Sequence, residues 1–313
     1  MERHGIVLGL CFSAIATLVG CKREPPPPPP PPPPPAPAAA PEPAKPVAPV
    51  YAPDKAAELL KQFEGCENDF NCDAYKPLVS FGDKVSMQLA AIATDSTKKG
   101  QKVAIQALGE IKDPRVGMQL FDAGRKTKDF MVREALAQAA GKSGNEDVFA
   151  AATKLYAEKM STDNATVMTE ALAGFGGRSA DWALAKLPSA KRVIPAATLA
   201  DVVVVTTKGK PDYLPKVTEA IGKAKHEFAR HRLAVAAIEL GDMQKFDLLA
   251  AGLKDKDADN VGDAVGRLND VLDKIPPARK AEFVKLVGDA KEALIKGYQD
   301  PNGAITALEQ LRK

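Results

Sequence analysis

The chain has 313 residues, of which 45% are hydrophobic and 5% aromatic, with a single Trp. Its formal net charge is only +3, from 43 basic and 40 acidic residues. The basic excess typical of nucleic-acid-binding proteins is therefore missing, and we predict no nucleic-acid partner. The hydrophobic content is sufficient for a core, which must be built mainly from Ala, Leu and Val and so suits closely packed helices.

The first 20 residues have the pattern of an export signal. Arg3 precedes an apolar run from Ile6 to Val19, which is short for a membrane span but has the length of a signal-peptide core. The run ends in Leu18-Val19-Gly20-Cys21. This ending resembles the lipobox of bacterial lipoprotein precursors, in which the Cys is acylated before the peptide is cleaved.

The resemblance implies that residues 1–20 are removed and that Cys21 carries acyl chains that anchor the protein to a membrane. In a cell with two membranes, Lys22 fits the outer-membrane sorting pattern, since Asp at that position is the usual inner-membrane retention signal. The protein would then face the periplasm. An uncleaved membrane anchor and a secreted, non-lipidated protein are the alternatives. Cys11 lies inside the apolar run and would be lost with it.

Residues 21–53 are predicted to form the lipidated Cys and a Pro-rich tether. Proline is unbroken from Pro25 to Pro35 and is mixed with Ala as far as Pro53. Because Pro lacks an amide proton and has a fixed φ, we expect polyproline II at about 3.1 Å per residue. The extended tether would then reach roughly 90–100 Å. A Pro-rich recognition ligand is the alternative, but few basic or aromatic residues interrupt the segment.

Residues 54–98 are predicted to form an N-terminal helical cap with a disulfide loop. Asp54–Phe63 is expected to be a short helix with Asp54 as its N-cap. Cys66 and Cys72 follow in a polar, turn-rich loop and are the two cysteines left unacylated after export. In an oxidising compartment a disulfide between them is the favoured interpretation. A metal site is the alternative, although no His lies nearby.

Residues 99–313 contain a repeated pattern marked by Gly109, Gly141, Gly174, Gly209 and Gly241, which recur about every 33 residues. Each Gly is predicted to end an apolar helix, because Gly suits the left-handed residue past a helix end. A second, amphipathic helix is expected to follow each Gly. The first helices are expected at Val103–Leu108, Val132–Ala140, Val167–Ala173, Thr198–Lys208 and Leu233–Leu240, and the second helices at Arg115–Gly124, Glu146–Ala157, Ala180–Leu187, Asp212–Ala224 and Met243–Leu253.

The C-terminal part continues the helical pattern without the Gly. Helices are predicted at Asp259–Lys274 and Ala278–Lys296, and Asp300–Arg312 is expected to be a capping helix. Four consecutive valines, Val202–Val205, could suggest a strand, but their surroundings favour a buried helix. No alternating strand pattern of useful length is present.

A period near 33 residues with two helices per unit predicts an all-α fold, an α-solenoid of stacked helical hairpins. Val103–Asp113 and Val132–Gly141 are similar to HEAT repeats of the PBS-lyase type, whose phrase contains Val-Arg, Ala and Ala-Leu-Gly followed by a short Asp turn. The units from Thr198 onward keep only the hairpin and the Gly. The phrases typical of TPR and ankyrin repeats are absent.

Candidate catalytic or metal-binding residues are few. His226 and His231 point about 140° apart on a helix, so they cannot easily share a metal, and we interpret them as an incidental surface pair. Asp255, Asp257 and Asp259 form an acidic run without the Gly and distal Glu of an EF-hand loop, which favours a solvated turn. No lipase-type elbow or Walker loop is present. We therefore predict no catalytic residue, metal ligand or cofactor.

The sequence favours a lipid-anchored cell-envelope protein whose helical repeats are a non-catalytic scaffold for a protein partner. Two alternatives remain. In the first, the protein is an enzyme or enzyme accessory that binds a small ligand in the groove, by analogy with bilin-lyase-type HEAT proteins. In the second, the tether is itself the function and links the outer membrane to the cell wall.

Overall fold

The computed structural model describes residues 51–66, 70–158 and 160–312; Cys21 and most of the predicted tether lie outside them. The described residues form 16 α-helices and no β-strand, so the predicted all-α solenoid is confirmed. The helices are α1 (Pro53–Glu64), α2 (Tyr75–Phe81), α3 (Ser86–Ala93), α4 (Gln101–Ile111), α5 (Gly117–Lys126), α6 (Phe130–Lys142), α7 (Glu146–Leu155), α8 (Thr162–Ala173), α9 (Gly177–Lys186), α10 (Val193–Thr207), α11 (Leu214–Lys223), α12 (Glu227–Glu239), α13 (Phe246–Gly252), α14 (Ala258–Asn269), α15 (Lys280–Lys296) and α16 (Asn302–Leu311).

From α3 onward the helices alternate between two layers. The even-numbered helices α4 to α16 pack side by side in one layer, the even layer, and the odd-numbered helices α3 to α15 form the other. From α4 to α12, successive even helices contact each other far more extensively than successive odd helices do. In a solenoid that curves, the more closely spaced layer lies on the concave side.

From α3 to α11 the packed hairpin differs from the predicted one, whereas the predicted pairs α12 with α13 and α14 with α15 do pack together. The sequence pattern paired each apolar helix with the amphipathic helix after its Gly, such as α4 with α5. In the structure α3 packs along α4, α5 along α6 and α9 along α10, while α4 and α5 make little contact. The Asp-Pro turn between α4 and α5 therefore connects two hairpins. The period is the same in both pairings, so the repeat length could not distinguish them.

Gly209 and Gly241 end their helices as predicted, with φ of 72° after α10 and 107° after α12. For Gly109 and Gly141 the prediction is wrong, whereas Gly174 ends its helix as predicted but without the left-handed conformation. Gly109 and Gly141 lie inside α4 and α6, and Gly174 ends α8 with a right-handed φ of −66°. The left-handed residues near those helix ends are Lys112, Gly144 and Gly176.

Gly141 and Gly174 allow α6 and α8 to come into backbone contact. A Cβ atom on Gly141 would lie under 3.0 Å from the carbonyl oxygen of Ala171, and one on Gly174 would lie under 3.0 Å from the backbone of Gly141. No side chain fits at either position without moving a helix. These glycines therefore set the spacing of α6 and α8.

Two further predictions need correction in detail. α1 begins at Pro53 with Ala52 as its N-cap. Asp54 is not the cap but lies in the first turn, where its charge complements the helix dipole.

The valine run is helical, as predicted, with Val202 and Val203 buried, but Val205 is 42% exposed. Four consecutive residues point to all sides of a helix, so they cannot all be buried when one side faces solvent.

The remaining helices lie close to the predicted ranges. Several of the second helices begin later than predicted because a short 3₁₀ turn precedes them, such as Pro114–Val116 before α5 and Met243–Lys245 before α13. Polar side chains cap the starts of several helices. Asp129 accepts from the amide of Val132 at the start of α6, and Asn145 caps α7 in the same way.

The buried apolar side chains form two clusters that meet at α12. The first extends from α1 to α12, and the second from α12 to α16. Ala236 and Ala237 belong to the first cluster, and Ala234 and Ile238 to the second. One helix therefore contributes opposite faces to two cores.

Candidate functional site

A groove of about 600 Å³ crosses the exposed face of α6, α8, α10, α12 and α14. We call it the even-face groove. It is lined by Phe130, Val193, Ile194 and Val205, which are 51%, 42%, 47% and 42% exposed. Isolated exposed apolar residues are ordinary, but a group of them on one face is typical of a binding surface.

The apolar lining arises because α10 carries hydrophobic side chains around nearly its whole circumference. Such a helix is normally buried on every side. Here α8 and α12 cover two sides and α9 a third, and the fourth side of α10 stays open to the even-face groove. Phe130 adds a ring at the first residue of α6, and the ring of Phe228 lies 5.8 Å from the guanidinium of Arg232.

Two carboxylates in the groove form no direct ion pair among the described residues. Glu134 on α6 and Glu170 on α8 are half-buried groove residues, and neither forms an ion pair there. Burial raises the pKa of Glu170, and the negative charge of Glu134 raises it further, while Lys142 opposes both effects. Two nearby carboxylates without a directly paired cation repel each other, and a positive charge bound between them would relieve that repulsion.

The cations of the groove are already neutralised. Arg232 Nε lies 2.8 Å from Asp201 Oδ1, and Arg232 also donates to Asp263. Burial opposes the charge of Arg232, but Asp201 and Asp263 together raise its pKa above the usual value. Arg267 lies 2.8 Å from Asp270. The groove therefore keeps unpaired negative charge and no unpaired positive charge in its described lining.

His231 is buried beneath this cluster. Its side chain is 2% exposed, and its Nδ1 lies 3.0 Å from Asp263 Oδ2. Gly252 leaves room for the ring, because a Cβ there would come under 3.0 Å from His231 Nε2. The interpretation of His226 and His231 as a surface pair is therefore wrong for His231. Within the described ranges no group of three or more His, Cys, Asp or Glu residues is arranged to hold a metal.

A second cleft, of about 450 Å³, lies between α4 and α6. Its floor includes Ile105 and Ala139, and its edges carry Phe70 and Met131, which are 42% and 66% exposed. Phe70 belongs to the loop closed by Cys66 and Cys72. The exposed apolar surface of the even layer thus continues from the even-face groove toward the N-terminal helices.

The sulfur atoms of Cys66 and Cys72 lie 2.07 Å apart, and their Cα atoms 5.8 Å apart. Residues 67–69 of the intervening loop are outside the described part. Next to the loop, Tyr75 Oη donates to Glu110 at 2.5 Å and so joins α2 to α4. The pairing stays a prediction for the exported protein, and so does acylation of Cys21, which lies outside the described residues.

The acidic run near the C-terminus forms an exposed turn and a helix cap. Asp255 accepts from the amide of Asp257 at 2.9 Å, and Asp257 accepts from the amide of Asp259 at 2.8 Å at the start of α14. Both carboxylates are thus used to order the local backbone.

Among the described helices, none combines the length and the apolar character needed to cross a membrane.

Comparison with known families identifies one matching segment. Residues 86–173 match the family model for HEAT repeats, and this segment runs from α3 to α8. It includes both phrases that resemble HEAT repeats in the sequence, Val103–Asp113 and Val132–Gly141. No curated protein matches the chain. The chain therefore contains HEAT-like helical repeats within an all-α solenoid.

Proposed function

We propose that the protein is a lipid-anchored cell-envelope protein whose solenoid is a non-catalytic scaffold for a protein partner. HEAT-like repeats stack into extended surfaces that commonly bind proteins. The observation that supports this function is the group of half-exposed apolar side chains in the even-face groove, which spans five helices. The partner binds along these helices.

The groove suits a peptide or protein surface better than a small molecule. Ligand pockets usually enclose most of the ligand surface. Phe130, Val193, Ile194 and Val205 are 42–51% exposed, so they form a floor without surrounding walls. A partner segment laid on this floor would bury them.

Site-specific photo-crosslinking tests the scaffold. A photoreactive residue replaces Ile194 in the groove or, as a control, Met243, which is 38% exposed and lies before α13 outside the groove. In intact cells we expect position 194 to capture one partner, identified by mass spectrometry, and position 243 to capture none. The purified partner should bind the Ile194→Asp variant at least about tenfold more weakly, since a charge would enter an apolar contact.

Equal capture at both positions, or undiminished binding to Ile194→Asp, would contradict the scaffold proposal. A chromophore or other small molecule that copurifies with the chain would favour the enzyme-accessory alternative. Because Ile194 is about half exposed, the substitution is expected to leave the fold intact, which circular dichroism checks.

The anchor is supported by the Leu18-Val19-Gly20-Cys21 ending and is tested separately. The Cys21→Ser variant should remain unprocessed and should leave the lipidated membrane fraction, because a Ser hydroxyl does not accept the acyl modification. Cys11→Ser is the matched control and should be processed normally, since Cys11 lies within the segment that is removed. Unchanged processing and fractionation of Cys21→Ser would refute the anchor.

A further inference from the structure

We propose that the segment bound in the even-face groove is a basic peptide in which a Lys or Arg is flanked by apolar side chains. This inference rests on the proposed scaffold function and specifies the chemistry of its partner. It follows from the charge left unpaired in the groove and from the arrangement of the apolar side chains around that charge.

The unpaired charge is negative. Glu134 and Glu170 form no ion pair within the described residues, although both are half-buried. Asp201, the third carboxylate of the lining, already pairs with Arg232. A Lys or Arg placed between Glu134 and Glu170 would gain two partly desolvated partners at once. An acidic segment would meet repulsion there, and the groove arginines are already occupied by Asp201, Asp263 and Asp270.

The apolar side chains lie on two sides of this charge. Each even helix is followed by an odd helix that returns the chain, so successive even helices run in the same direction. Phe130, Ile194 and Phe228 lie in the first turns of α6, α10 and α12 and therefore line one edge of the groove. Glu134 lies one turn further along α6, and Val205 lies near the end of α10.

The distance between the apolar side chains at the two ends of α10 sets the length of the bound segment. Ile194 and Val205 are separated by about three turns of α10, or roughly 16 Å along the helix axis. An extended peptide covers that distance with about five residues. A central Lys or Arg with apolar residues two or three positions to either side therefore matches the lining.

Synthetic peptides test this chemistry directly. The probes are three labelled 11-residue peptides with a central Lys, Gln or Glu and Leu residues two and three positions to each side. Their affinities for the full chain are measured by fluorescence anisotropy. We expect the Lys peptide to bind at least about tenfold more tightly than the Gln peptide, and the Glu peptide to bind most weakly.

The double variant Glu134→Gln/Glu170→Gln should bind the Lys peptide about as weakly as the wild-type protein binds the Gln peptide. Its affinity for the Gln peptide should not change. The matched control is Asp147→Asn/Glu309→Gln, which removes two exposed charges outside the groove lining. It should leave every affinity within about twofold, because surface charges beyond a Debye length are screened.

Equal affinity for the Lys and Gln peptides would overturn the inference, as would failure of all three peptides to bind. An equal loss in the control variant would show that net charge, and not the groove, attracts the peptide. A partner that crosslinks at position 194 through a segment without Lys or Arg would refute the basic-peptide inference and leave the scaffold standing. Absence of crosslinking at 194 would instead refute the scaffold.

Discussion

Asp113 is a buried polar residue that joins α3 to the turn between α4 and α5. It accepts from Ser86 on α3, from the amide of Arg115 at 2.9 Å, and from the Arg115 guanidinium at 2.7 Å. The side-chain hydrogen bond from Arg115 is the largest influence, and Ser86 acts in the same direction, so the pKa of Asp113 is lowered to about 2. The carboxylate thus contributes to stability while it is charged.

We expect Asp113→Asn to lower the free energy of unfolding at pH 7 by about 1–3 kcal/mol. Because the folded-state pKa lies below the unfolded value, this stabilisation is fully present above the unfolded pKa and is lost as the pH falls toward about 2. Urea unfolding at pH 7 and near pH 2.5 measures the difference. Asp147→Asn, at an exposed site, is the control. If Asp113→Asn lowered the free energy of unfolding equally at both pH values, the assigned role of the charge would be contradicted.

The glycine contact between α6 and α8 gives a second test at this scale. Gly141→Ala should lower the free energy of unfolding by at least about 1–3 kcal/mol, because the Cβ atom of the new alanine would meet the backbone of Ala171. Gly288→Ala is the matched control inside α15, where a Cβ meets no atom within 4 Å. It should stabilise by up to about 1 kcal/mol, since Ala is the better helix former. Thermal unfolding compares the two, and similar effects would contradict the close contact.

Sequence reasoning located these residues but not all of their roles. The Asp-Pro turn identified Asp113 as a turn residue, whereas its bond to Ser86 depends on a fold that brings residues 27 positions apart together. A Gly that ends a helix and a Gly that admits another backbone look alike in one sequence. His231 was misjudged because its partner, Asp263, lies on the next even helix and has no local signal.

At the scale of elements, the loop between Cys66 and Cys72 attaches α1 to α2. We expect the double variant Cys66→Ser/Cys72→Ser to lose about 2–3 kcal/mol of stability, because the disulfide restricts the unfolded chain. A reducing agent should lower the unfolding temperature of the native chain and leave that of the double variant unchanged. Mass spectrometry of an unreduced digest should find the linked pair. Free thiols in protein purified from the cell envelope would refute the pairing.

The helices themselves were largely predictable, because hydrophobic periodicity and helix-stop residues are local signals. Their pairing before α12 was not. The stronger contact of α5 with α6 than with α4 arises from side-chain packing across the layers, which a repeat length does not encode. The 3₁₀ turns before α5 and α13 also escaped the sequence pattern, since they continue the same apolar spacing for one turn.

At the scale of the molecule, the two buried clusters that meet at α12 predict unfolding in two regions. Phe283 is fully buried in the second cluster, and its ring lies 5.6 Å from that of Phe246. Phe283→Ala should cost about 3–5 kcal/mol. Repeat arrays are stabilised by neighbouring units, so the loss should be local.

Hydrogen exchange measures where protection is lost. In Phe283→Ala, amides of α13 to α16 should exchange faster while those of α4 to α8 stay protected. The reciprocal variant is Phe121→Ala, at a fully buried position of the first cluster. It should accelerate exchange mainly in the N-terminal repeats. A uniform loss of protection in either variant would show a single cooperative unit.

The solenoid was predictable from the repeat length, but the even-face groove was not. The sequence shows that α10 is apolar on nearly every side, and the simplest expectation from that pattern is complete burial. Which side remains open depends on how α8, α9 and α12 surround it. Glu134 and Glu170 lie 36 positions apart along the chain, and they come near each other only because α6 and α8 pack directly together.

The glycine contact between α6 and α8 also determines how the solenoid responds to mechanical load. A helical array lengthens or bends when the spacing of neighbouring helices changes, and it yields first where contacts are sparse. Backbone atoms already meet between α6 and α8, so that spacing cannot shorten, and the extensive contact resists its opening. Strain is therefore taken up elsewhere, chiefly in the less closely packed helices after α12, while Glu134 and Glu170 keep their separation.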